Sequence, residues 1–107
     1  MNDVRTKNFT GRDVFNAATA KALKDVVGQT LIVTAIWITE RADNDGVAQV
    51  VANIKTSDGE IYATISNSVI RSAEAIPELL EEGPVSINVE ERPSKNGGRD
   101  YLVITLA

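Results

Sequence analysis

The chain has 107 residues, 43% of them apolar, with a formal net charge of −4 and neither cysteine nor histidine. That is enough chain for one domain with a core that needs no disulfide or metal staple. It also excludes thiol nucleophiles, imidazole bases and thiolate or histidine metal sites, so we expect neither an enzyme nor a metal or other cofactor.

No apolar run approaches the roughly 18 residues that cross a bilayer. The first residues, Met1 to Asn8, lack the apolar stretch of a secretory signal. The expectation is a cytoplasmic protein without membrane contact. The negative charge by itself argues against a nucleic-acid partner. Its distribution softens that argument: acidic residues gather between Glu74 and Glu91, whereas basic ones are spread elsewhere, so a locally positive face can survive.

In chain order, residues 1–9 show no periodicity and are expected to be flexible, with a single domain over 10–107. Thr10 and Asp13 have the spacing of a helix capping box, followed by Val14, Ala18, Ala22 and Val26 at helical intervals and Gly28 as a stop. The competing reading is a short strand over Asp13–Asn16 with a shorter helix near Ala20–Val26, and this second version is the one we expect. Thr30–Arg41 is a long β-branched run with apolar residues on both faces. Alternation puts Ile32, Ile36 and Ile38 on one side, and Leu31, Val33, Ala35 and Trp37 on the other. Burial on both faces suits a strand that curls across a small barrel.

Asp43–Gly46 and Asp58–Gly59 are acidic-glycine turns, which mark hairpins. Between them Val47–Thr56 has a more polar face of Gln49, Asn53 and Lys55. Glu60–Ser66 alternates, with Ile61, Ala63 and Ile65 expected inward and Tyr62 outward. Val69, Ile70, Ala73, Ile76, Leu79 and Leu80 form a helical stripe that Pro77 should kink or split. Val85–Glu90 and Tyr101–Leu106 are the last two strands, joined by a turn over Arg92–Arg99. The fold class is therefore mainly β: an OB-fold-like five-stranded barrel in the order β-β-β-α-β-β, preceded by a short helical or extended segment.

Several segments carry a resemblance: Phe15–Ala17, Gly28–Ile32, Asp58–Ser66, Val69, Pro93–Gly98 and Leu102–Ala107. In that order and spacing the chain resembles the single-stranded DNA-binding proteins of phi29-like bacteriophages. The resemblance implies a protein that coats and protects displaced strands during phage DNA replication, by tyrosine stacking and basic contacts. Single-stranded DNA is the implied partner; phage replication proteins and self-association are further candidates.

Tyr62, within Asp58–Ser66, and Lys95, in the last hairpin, carry over directly. Arg41–Gly46 has no tyrosine, which leaves Trp37 as a second candidate ring, and Tyr101 as a third. Lys55, Arg41 and Arg99 are the other candidate phosphate contacts, and Asn53 a hydrogen-bond donor on the same face. For each the plain alternative is a core ring or a solvated charge. The competing function is an acidic protein-interaction adaptor or inhibitor, motivated by the −4 charge. Asp43–Gly46 lacks the further oxygens of a calcium loop, and no residues are assigned to metal or catalysis.

Overall fold

In a computed structural model of the chain, the structure describes residues 2–94 and 97–107. Lys95, one of the expected cations, lies outside them. The strands are β1 (Asn2–Lys7), β2 (Lys21–Ala22), β3 (Thr30–Ala42), β4 (Ala48–Thr56), β5 (Ile61–Thr64), β6 (Val85–Arg92) and β7 (Tyr101–Leu106). The helices are α1 (Gly11–Asn16), α2 (Asn67–Ala73) and α3 (Ile76–Leu79). All described strands form one curled, barrel-like sheet in the order β2-β5-β4-β3-β6-β7, with β1 paired to β3. The five expected strands are β3 to β7, with α2 and α3 between β5 and β6; among the described residues β1 and β2 join the same sheet, which corrects the five-strand expectation to seven.

The long strand β3 organises the curl. β4 pairs along most of its length, while its other edge is shared: Thr30–Val33 pair with β6 and Ile36–Glu40 with β1. A register shift between Val33 and Ala35 marks the hand-over. An extra residue in one strand bends it and reverses the alternation beyond it. Leu31 and Val33 consequently share the main core with Ile36 and Ile38, while Ala35 and Trp37 fall on the opposite face. Simple alternation over Thr30–Arg41 had separated these pairs, and the bulge corrects it. Burial on both faces of the strand is found from Ala35 to Thr39.

Both acidic-glycine turns form. Gly46 and Gly59 have φ of 77° and 87°, which an L side chain resists. The Asp43 carboxylate accepts the backbone N–H of Asp45 and of Val47, at 2.8 and 3.0 Å, so it braces a turn. Asp58 accepts from the N–H of Glu60 and the hydroxyl of Thr56. Those bonds hold the Asp58 carboxyl below its usual range.

The N-terminal segment departs most from expectation. Asn2–Lys7, expected to be flexible, is the strand β1, because the exposed half-edge of β3 gives its backbone a ladder partner. Over residues 10–26 the capping box prevails over the favoured strand-then-helix version. Thr10 Oγ1 accepts from the Asp13 N–H and Asp13 Oδ2 from the Thr10 N–H. Six helical residues follow, then 3-10 turns on either side of β2. The helical stripe after β5 is split before Pro77, which sits in the first turn of α3, where its missing N–H costs nothing.

The main core lies between the concave face of the sheet and α2 and α3. It includes Ile36, Ile38, Ile54, Val69, Ile76 and Ile87. The ends of the curl are bridged by α2 packing on β7 and by Ser66 Oγ donating to the Leu102 carbonyl at 3.4 Å.

Candidate nucleic-acid interface

The opposite, outer face of β3, β4 and β5 is crossed by the N-terminal segment. β1 lies on the edge of β3 and β2 on the edge of β5, so residues 8–20 must pass over the sheet between them. Phe9 stacks on Trp37 with ring centroids 5.6 Å apart and planes inclined by 32°. Ala35 and Ile61 complete this second cluster, with Ala17 and Ala20 against it. Asp13, 3% exposed, anchors α1 by accepting a 2.9 Å ion-pair hydrogen bond from Lys55 Nζ on β4. Burial pushes the Asp13 carboxyl up. The bonds from Lys55 and Thr10 outweigh it and hold the group below its usual 3.8.

This strap covers the outer face over Ala35 and Ile61, and Trp37, Thr39, Val51 and Asn53 beside them are buried as well. Two clefts lie along this part of the face. One, of about 220 Å³, lies between α1 and the sheet and is lined by Val14, Ala17, Ala18, Trp37, Thr39, Arg41, Val51 and Asn53. The other, of about 290 Å³, lies toward the β5 edge and includes Lys24, Arg41, Val51, Ala63, Ile65 and Leu102. Arg41 and Val51 belong to both, so the clefts form one surface with the exposed Arg41 at its middle.

Both signs of charge occur on each side of the sheet, but the glutamates of the α3 region lie behind it. Glu78 and Glu81 lie on or beside α3, whose apolar side packs on the concave core, and they reach Arg5 and Lys7 at 4.0 and 3.8 Å. The acidic helices are thus separated from the clefts by the sheet. On the cleft side stand Lys24 and Arg41, with Lys21 paired to Glu60 at 3.0 Å nearby.

Of the eight residues singled out from sequence, the structure gathers Trp37, Arg41 and Asn53 at one cleft. Trp37 is only 7% exposed, shielded by Phe9, and presents little of its ring. Asn53 is buried and donates to the Trp37 carbonyl at 3.2 Å, tying β4 to β3. Lys55 is taken up by Asp13. Arg99 is exposed in the β6–β7 loop, and Tyr101 at the start of β7 is 39% exposed, beside Leu102.

Tyr62 is a correction. It is 8% exposed and packs in the main core, not on the surface. Tyr62 pairs with Ile54, and residues opposite each other on paired strands point to the same face; Ile54 is fully buried. Ile61, Ala63 and Ile65 therefore take the outer face, the reverse of expectation. The alternation was legible, but its phase was not, because the strap buries Ile61 on the outer side. Sequence reasoning also missed Val14 and Lys24 as cleft residues. The capping box at Thr10–Asp13 was the signal that could have placed Val14 on an ordered helix.

The geometry is thus a curled sheet with two clefts on its outer side, an arginine between them and the acidic residues of the α3 region behind the sheet. The family model for phage single-stranded DNA-binding proteins of the phi29 type matches residues 5–107. The chain belongs to that family, a DNA-binding and non-catalytic class. No curated protein and no solved structure gives a match. Among the described residues no helix is long and apolar enough to cross a membrane.

Proposed function

We propose that the chain coats single-stranded DNA during phage replication without regard to sequence, and that the strand lies along the outer face of β3–β4–β5 over Arg41. We further propose that β3 to β7 form a variant OB barrel, whose usual binding surface is this same face together with the loops corresponding to the β3–β4 and β6–β7 connections. The observation that carries the reading is the pair of clefts meeting at Arg41, on the side of the sheet away from the acidic helices.

Phosphates meet Arg41 and Lys24, with Arg99 of the β6–β7 loop extending the path. Bases rest on the apolar cleft walls and on Tyr101. The cleft walls offer apolar surface to any base, which suits sequence tolerance. Lys55 and Asn53 support the face from beneath, through Asp13 and the Trp37 carbonyl.

The test is a titration with oligo(dT), oligo(dC) and mixed-sequence strands at two or more salt concentrations. Quenching of Trp37, the only tryptophan of the chain, serves as readout. Each phosphate contact on a single strand contributes about 0.7 to the slope of log K against log salt. Arg41→Ala and Lys24→Ala should each lower the slope by about that amount, with little change between sequences. Binding with wild-type slope in both variants would rule out this face. No binding of any oligonucleotide at low salt would rule out the function.

A further inference from the structure

Phe15 is 81% exposed, the most exposed of the large apolar side chains. Its position follows from α1. Successive helical residues turn by about 100°, so Phe15 lies about 200° round from Asp13. Asp13 is held against the sheet by Lys55, and Phe15 is therefore turned away from it. Arg12 sits three residues before Phe15, which makes the two neighbours on one helix surface. Arg12 is exposed, and no carboxylate among the described residues lies within 4.0 Å of it. Val14, between them in sequence and 41% exposed, lines the cleft that contains Arg41.

The helix is short but braced, by the Thr10–Asp13 capping box and by the Asp13–Lys55 ion pair. A ring on a braced helix loses little conformational freedom on binding, which favours a stacking contact. The aromatic surface lost to the core at Tyr62 and shielded at Trp37 thus has an exposed counterpart at Phe15, next in sequence to the cleft residue Val14.

We propose that Phe15 is a base-stacking residue. One unpaired base of the strand lies on its ring as the chain leaves the Arg41 cleft, and an adjacent phosphate meets Arg12. The proposal rests on the reading that the outer face carries single-stranded DNA. Phenylalanine has no hydrogen-bonding group, so this contact accepts every base alike. The charge of Arg12 beside the ring, and the place of Val14 in the cleft, favour a polyanion with π faces over an apolar protein partner.

The test compares wild type with Phe15→Ala, Phe15→Leu, Phe15→Trp and Arg12→Ala, using oligo(dT) and urea unfolding. With the ring so exposed, all four variants should keep the wild-type unfolding midpoint. Phe15→Ala should bind roughly 5- to 150-fold more weakly, the range for loss of one stacked base. Phe15→Leu should lose as much, being apolar without a π face. Phe15→Trp should keep wild-type affinity or exceed it, with added quenching on binding. Arg12→Ala should lower the salt slope by about 0.7.

Binding of Phe15→Ala within twofold of wild type, or full recovery in Phe15→Leu, would overturn the stacking role while leaving the DNA-coating function intact. So would a change in the mass of DNA-free protein in Phe15→Ala, which would assign the ring to a second copy of the chain. Failure of wild type itself to bind would instead remove the underlying function.

Discussion

At the scale of single residues, burial and pairing separate the side chains that hold the interface from those free to touch a ligand. Tyr62 belongs to the first group. Tyr62→Ala should cost about 3–5 kcal/mol in urea unfolding, the usual loss for a buried aromatic ring, so its effect on DNA would come through folding. Lys55 is likewise a brace for α1. Lys55→Met leaves the Asp13 carboxylate buried without its cation and should cost about 1–3 kcal/mol. The same pair sets an acid limit. Because the Asp13 pKa is lowered on folding, its contribution is fully present above the usual 3.8 and is lost as pH falls through the lower folded value. An unfolding series at acid pH should therefore show a limb below about pH 4 that is shallower in Lys55→Met.

At the scale of elements, the strap formed by β1, α1 and β2 accounts for most of what differs from a plain five-stranded reading. Its helix depends on one hydroxyl: Thr10→Ala should cost about 1 kcal/mol and speed amide exchange over residues 13–16. Its strand depends on the spare edge of β3. Deleting residues 2–7 removes a ladder whose hydrogen bonds each contribute about 0.5–1.5 kcal/mol net. Hydrogen exchange should then rise at residues 36–40, and the bared edge should promote association between copies. The element order from β3 to β7, both turns and the division of the helix at Pro77 were legible because each is set by local chemistry. The strap was not, since β1 has no apolar pattern and exists only where β3 offers a backbone partner.

Over the whole molecule, the question is how far the net negative charge reaches the clefts. The sheet stands between the acidic α3 region and the clefts, and charges at physiological salt are screened over about 8 Å. The acidic helices should therefore be nearly silent at the clefts. Glu78→Gln and Glu81→Gln should change oligo(dT) affinity by less than about twofold at 0.15 M salt, whereas Arg41→Glu should nearly abolish binding. A large gain from the glutamine variants would show that the field of the whole molecule, and not local contact, governs binding. Weak long-range attraction also predicts ordinary association rates with little electrostatic acceleration.

Sequence alone determined the succession of strands and helices from β3 to β7, the turns and the likeness to a phage single-stranded DNA-binding family, because these follow from residue types over short distances. Tertiary structure decided which face of each strand is buried. The bulge after Val33 reversed one alternation, and the strap over Ile61 disguised the phase of another, so Tyr62 went to the core. Alternation along a strand has two equivalent phases, and only the elements packed on either side choose between them.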